Sequence, residues 1–249
     1  MNGKLYIFGR HPVLEMLQSE PERIVKIFMK DSLSKAVSEE VALLAKRKNI
    51  PIEKTDERSL AEFSQGGNHQ GLVALISEAK ALDLSSWLIS VKDISNPCVV
   101  VLDELEDTHN VGAIIRTAAG LGAHGIIFGK HRQAPITGTV YKTSAGTVGK
   151  IPLISVSNIN DAIRKLKENK FWAYGLDGAA EKTIWQEKFD APTCFIVGAE
   201  GSGMRAETKK LCDVLLKIPM ERGVESLNAS VSAALAIGEW KRWNIEHRP

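Results

Sequence analysis

The chain has 249 residues, 44% of them hydrophobic and 25% charged, the balance of a globular protein with room for one large or two modest domains. A net charge of +2 gives no bulk electrostatic argument for nucleic-acid binding, so any basic surface must be local. No apolar run approaches a membrane span, and no signal-peptide h-region follows residues 1–4. The three cysteines and six histidines show no C-x-x-C or H-x-x-x-H spacing. The expectation is a cytoplasmic protein with reduced thiols, no membrane segment and no metal.

In chain order, residues 4–8 predict a strand, and Gly9-Arg10-His11-Pro12 opens a short helix through Leu17. Proline suits the first helical turn, where its missing donor is not needed. Residues 23–29 read as a strand, 34–48 as an amphipathic helix, 50–54 as a short strand, 57–63 as a helix and 72–76 as a buried strand. Between the last two lies a glycine-rich polar loop, residues 65–71. This alternation predicts a small α/β domain over residues 1–77. Residues 78–97 are expected to be a linker, helical in the middle with Asp83 as its cap.

A second domain is expected over residues 98–249. It opens with the buried strand Val99–Leu102 and a polar loop, after which Asn110 is the expected N-cap of a helix through Leu121. Strands at residues 125–128, 153–154, 171–176, 193–197 and 214–218 follow, with helices at 160–168 and 205–212. Residues 129–139 read as loop and 142–149 as a short segment. From Val231 the chain is small and apolar, which predicts a buried helix capped by Ser226, Asn228 or Ser230. The expected architecture is a largely parallel sheet covered on both faces.

Three loops carry the candidate chemistry. Gly198-Ala-Glu-Gly-Ser-Gly203 follows a strand and precedes a helix, the order that lets backbone approach a ligand. By contrast, Gly120-Leu-Gly-Ala-His-Gly125 matches G-x-G-x-x-G but closes a helix, so it reads as a helix C-cap and turn. Asn110 and Arg116 stand six residues apart, too far for helix neighbours. Arg116 sits among Ile114, Ile115, Ala118 and Ala119 and needs an anionic partner, either Glu200 or a phosphate. The third loop runs from Ile218-Pro-Met to Ser226-Leu-Asn-Ala-Ser230.

Together these blocks resemble the SpoU family of RNA ribose 2′-O-methyltransferases, within the SPOUT superfamily. The resemblance covers Cys98 to the C-terminus, and within the family it is greatest to enzymes acting on a guanosine ribose of large-subunit ribosomal RNA. It implies an α/β domain with a deep trefoil knot, preceded by a small L30e-like RNA-binding domain, for which Gly9-Arg-His-Pro and His69-Gln-Gly71 are the matching points. It further implies S-adenosyl-L-methionine as cofactor and a homodimer. Gly198, Glu200, Gly201, Ile218, Met220, Ser226, Leu227 and Asn228 would bind the cofactor. Asn110, Arg116, Glu200, Asn228 and Ser230 would form the catalytic set.

Arg116 matches the arginine proposed in the family to activate the hydroxyl. A guanidinium stays protonated, so our reading gives it a substrate phosphate or ribose oxygen to bind. Arg10, His69, Lys130, Arg132 and Lys142 are the expected RNA contacts, His69 by stacking on an unpaired base or else merely capping a turn. Lys46, Arg47 and Lys48 read rather as a solvated helix end. Ala199 stands where many members carry asparagine, and Glu225 where serine is common. A transfer-RNA 2′-O-methyltransferase and a non-catalytic RNA-binding module are the alternatives.

Overall fold

The computed structural model describes residues 5–77, 81–221 and 226–247. Glu225, residues 1–4 and the start of the expected linker lie outside the described residues. The chain divides into two units, the first comprising the described residues up to Ser77 with Pro135–Lys150, the second the remainder.

In the first unit, β1 (Leu5–Phe8), α1 (Arg10–Ser19), β2 (Ile24–Lys30), α2 (Lys35–Arg47), β3 (Ile52–Thr55), α3 (Glu57–Phe63) and β4 (Leu72–Ile76) follow the expected order. The sheet runs β1-β4-β2-β3, antiparallel except between β2 and β3. Apolar residues at strand positions give it a buried face, with Ile7, Ile27, Leu72 and Ala74 wholly enclosed. Asp56 caps α3, its carboxylate accepting from the Ser59 N–H at 2.8 Å.

The second unit contains α4 (Leu84–Val91), β5 (Cys98–Asp103), α5 (Thr108–Leu121) and β6 (Gly125–Gly129). The chain then contributes α6 (Gly138–Thr143) to the first unit before resuming as β7 (Leu153–Val156), α7 (Ile159–Glu168), β8 (Trp172–Leu176) and β9 (Lys182–Thr183). It ends with β10 (Thr193–Gly198), α8 (Ala206–Lys209), β11 (Val214–Lys217) and α9 (Ala229–Glu246). Seven strands pair in the order β7-β6-β5-β10-β8-β11-β9, every pair parallel. Near-continuous apolar runs suit strands buried on both faces, and β5 is buried at all six positions.

Several boundaries differ from the sequence reading. Residues 81–97 are no free linker. Asp83 does cap α4, but Leu84, Trp87, Leu88 and Val91 pack into the second unit's core, and Leu82 bridges to Ile154. Trp87 is fully buried and donates to the His124 carbonyl at 2.8 Å. Gly125 lies beneath it, where a Cβ would stand 2.8 Å from the indole nitrogen.

Residues 135–150 also leave the domain to which their sequence position assigned them. Gly138 lies so close to β1 that a Cβ would stand 2.0 Å from the Tyr6 carbonyl oxygen. The buried Tyr141 hydroxyl meets an Arg23 guanidinium N–H at 2.5 Å, and Arg23 pairs with Glu20 at 2.6 Å. A six-residue helix is too short to show a period, so sequence gave no warning of this attachment.

Finally, α9 is not buried all round. Ala233, Ala236, Ile237 and Trp240 face the core, while Val231 and Leu235 are 45% and 38% exposed. Trp87→Ala is expected to destabilise the second unit by about 3–5 kcal/mol in urea unfolding. A change within about 0.5 kcal/mol would mean that 84–91 is a surface connector after all.

Candidate functional site

From β5 the chain moves outward to β6 and β7, whereas β10 borders β8 on the other side, with β11 and β9 beyond it. The loops after β5 and β10 therefore diverge, and open α/β sheets hold ligands at such a point. After β10 the chain folds straight back on itself. Ala199 and Gly203 exchange backbone hydrogen bonds of 3.2 and 2.9 Å, and Gly201 and Gly203 take φ values of 79° and 68°. Glycine meets that backbone requirement without strain. Gly198 is needed for space, since a Cβ there would stand 2.2 Å from the Met204 nitrogen.

The far end of this hairpin is fastened to β5. Asp103 has no exposed side-chain surface, and it accepts from Arg205 three times: from the backbone N–H at 3.1 Å, Nε at 2.8 Å and Nη2 at 2.6 Å. A buried carboxylate paired so completely fixes the loop's exit as firmly as its start. Neither residue stood out in sequence, because no spacing connects positions 102 residues apart.

Beyond β11 lies the third loop. Asn228 caps α9, its Oδ1 accepting from the Ser230 N–H at 2.8 Å and the Ser230 hydroxyl at 2.6 Å. All eight residues expected to hold a cofactor, Gly198, Glu200, Gly201, Ile218, Met220, Ser226, Leu227 and Asn228, line one cavity of about 590 Å³. Leu176, Asp177, Gly178, Lys209 and Lys217 join them from the ends of β8 and β11 and from α8. The Lys209 ammonium, 2.5 Å away, and the Ala179 N–H hold the Asp177 carboxyl below the usual carboxylate range. These additional lining residues carried no recognisable motif.

The expected catalytic set is only partly assembled. Asn110 lies inside α5 and not at its cap, because Asp107 takes that role by accepting from the His109 N–H at 2.8 Å. Buried in the first turn, Asn110 donates its amide to Glu200, tying the first loop to the second. Ser230 touches Asn228 but is not itself in the cavity wall. Arg116 lies outside that wall, exposed on α5 and without an ion pair among the described residues. Of the two partners considered for it, Glu200 is not paired with it among the described residues.

The RNA candidates are divided between the units. In the first, Arg10 is exposed and pairs with Glu40 at 3.5 Å, and the Lys142 ammonium stands 5.1 Å from the Phe8 ring centre. His69 is buried, with Nδ1 accepting from the Gly71 N–H at 3.1 Å and Nε2 3.2 Å from Glu57. Its ring nitrogen caps the turn at Gly71, and the residue lines a cavity with Arg10, Lys30 and Gln70. In the second unit Lys130 is exposed, and Arg132 pairs with Glu104 at 3.5 Å.

This fold is shared with solved SpoU methyltransferases. The crystal structure of AviRb from Streptomyces viridochromogenes, in complex with the cofactor AdoMet, superposes with a TM-score of 0.84 at 21% identity, covering 99% of this chain and 92% of that one. The rRNA methyltransferase from Sinorhizobium meliloti gives 0.76 at 22% identity, covering 96% and 87%. The sequence model for the SpoU rRNA Methylase family matches residues 97–238, and that for RNA 2′-O ribose methyltransferase substrate binding matches residues 6–82. The chain belongs to the SpoU rRNA methylase family. It is 35% identical to the 23S rRNA (guanosine-2′-O-)-methyltransferase RlmB of Pseudomonas putida, over 94% of both chains. To the Vibrio cholerae enzyme of the same name it is 34% identical, over 97% of this chain and 98% of that one.

Arg205→Ala should leave the Asp103 carboxylate buried and unpaired, at a cost of about 3 kcal/mol in urea unfolding. The Asp103→Asn, Arg205→Ala double variant should lose less than the sum of the single losses. Strict additivity would mean that the pair does not fasten the loop.

Proposed function

We propose that the protein transfers a methyl group from S-adenosyl-L-methionine to the 2′-hydroxyl of a guanosine ribose in large-subunit ribosomal RNA. The observation that carries this reading is the convergence of the Gly198–Gly203 hairpin and the Ser226–Asn228 segment on one cavity. Its volume lies in the range of small-molecule sites. Its chemistry fits the cofactor: a glycine hairpin for close backbone approach, apolar Leu176, Ile218 and Leu227, and an ionised Asp177 with Lys209 and Lys217 for a zwitterionic amino-acid end. When bound, S-adenosylmethionine supplies an electrophilic sulfonium methyl.

The chain's own residues position the nucleophile. Because a ribose hydroxyl is weakly nucleophilic, orientation and exclusion of water are the main levers. Asn110 holds Glu200 at the cavity wall, and Ser230 fixes Asn228 through Oδ1, leaving the amide N–H groups of Asn228 for a ligand. Arg116, exposed and unpaired among the described residues, is placed to bind a substrate phosphate.

The same reading assigns the C-terminal domain a trefoil knot and the first unit an L30e-like RNA-binding role, to which Arg10 and Lys142 contribute. The family match over residues 6–82 supports that role. It takes the protein to be a cytoplasmic homodimer. Val231 and Leu235, one turn apart on the exposed face of α9, support self-association.

With labelled S-adenosylmethionine and protein-free large-subunit RNA, label is expected on a ribose, and transfer-RNA competitor should not displace it. Label on a base would contradict the reading. Arg116→Ala is expected to keep cofactor affinity by calorimetry while turnover falls about 100-fold. Undiminished turnover would remove Arg116 from the mechanism.

A further inference from the structure

A second cavity, of about 480 Å³, opens at the carboxyl ends of β5, β6 and β7. The loop after β10 separates it from the cavity described above, with Met204 lining one and the next residue, Arg205, lining the other. Glu104, Arg132 and Arg205 supply its fixed charge, beside the polar groups of His131, Ser157 and Asn158. Arg205 approaches Glu104 at 3.1 Å and Arg132 approaches it at 3.5 Å, both at Oε1. Oε2 of Glu104 has no partner among the described residues. Arg132 is 75% exposed at its side chain and its nearest approach to Glu104 is a loose 3.5 Å, which leaves its guanidinium accessible to a ligand.

The backbone at these two residues is also unusual, a feature they share with six other non-glycine residues among those described. Glu104 and Arg132 hold φ values of 62° and 53°, the left-handed region that non-glycine residues seldom occupy. Such conformations persist where the surrounding structure holds them, and they gather at ligand sites. Here they aim a carboxylate and a guanidinium into one cavity.

We propose that this cavity reads the base of the methylated nucleotide and selects guanine. The proposal rests on the methyltransferase reading given above. The guanine edge offers N1–H and N2–H donors, which a carboxylate accepts, and an O6 acceptor, which a guanidinium serves. Glu104 would take the donors through Oε2, and Arg132 would donate to O6. Adenine presents an amine where O6 would be and has no N1 proton, so it mismatches both groups. The shared wall lets the base occupy one cavity while its ribose faces the other.

The test first locates the ribose that the full-length protein methylates in large-subunit RNA, then uses a fragment spanning that position, ligated with either guanosine or inosine there. Inosine keeps N1–H and O6 but lacks the N2 amine. Wild-type protein should methylate guanosine about tenfold faster than inosine, the effect of one lost base contact. Glu104→Ala, which removes the acceptor, should bring that ratio close to one, with the S-adenosylmethionine dissociation constant unchanged by calorimetry. Arg132→Ala should slow both substrates alike and keep the ratio. A wild-type ratio near one, or a ratio unaltered in Glu104→Ala, would overturn the base-reading role while leaving the methyltransferase reading in place. No transfer to either RNA by wild-type protein would overturn both.

Discussion

A carboxylate with no solvent exposure at the end of a central parallel strand is the constraint on which the site depends. Asp103 is tolerable there only because Arg205 brings three donors to it from the far side of the hairpin after β10. That pairing requires the intervening residues to turn back within a few ångströms of the strand they have just left. Gly198 supplies the room, and Gly201 and Gly203 supply the backbone conformations. The hairpin then presents one face to the cavity completed by Ile218, Met220 and the N-terminus of α9, and the other to the cavity holding Glu104 and Arg132. Two sites thus share one wall, and a single buried ion pair sets the position of both.

The division of labour across the sheet follows from its topology. Strands β5, β6 and β7 run outward on one side of the divergence, and β8, β11 and β9 lie beyond β10 on the other. A methyl donor and a nucleotide are chemically unlike ligands, the first needing close backbone approach and a zwitterion-compatible end, the second needing edge-specific hydrogen bonds. The glycine hairpin and the Asp177–Lys209 pair suit the first. The charged, strained Glu104 and Arg132 suit the second. Asn110, buried on α5 and bonded to Glu200, connects the helix after β5 to the hairpin after β10.

Sequence made much of this legible where physical signals are local. Buried runs such as Val99–Leu102 announced strands, and Asp83 and Asn228 announced caps. The position of Gly120–Gly125 after a helix pointed to a C-cap and turn, and Gly122 is a left-handed C-cap at φ 79°. Signals failed where the deciding interaction was distant or brief. Asp107 and not Asn110 is the cap because the helix starts one turn earlier than the sequence reading placed it, and both residue types suit that position. The attachment of residues 135–150 to the first unit rests on Gly138 against Tyr6 and Tyr141 against Arg23, contacts with no periodic signature. The Asp103–Arg205 clamp was invisible for the same reason. His69 had two readings in sequence, stacking on a base or capping a turn, and the ring nitrogen that accepts from Gly71 matches the second. Arg116 was expected to take a carboxylate or a substrate phosphate as partner, and its helix turns it to solvent.

Hydrogen exchange of backbone amides, with and without saturating S-adenosylmethionine, tests the central claim most directly. If two loops far apart in sequence grip one methyl donor, exchange should slow together in residues 198–204 and 226–230 on cofactor addition, with little change in the four-stranded unit. Slowing in only one of those segments, or in neither, would contradict the account.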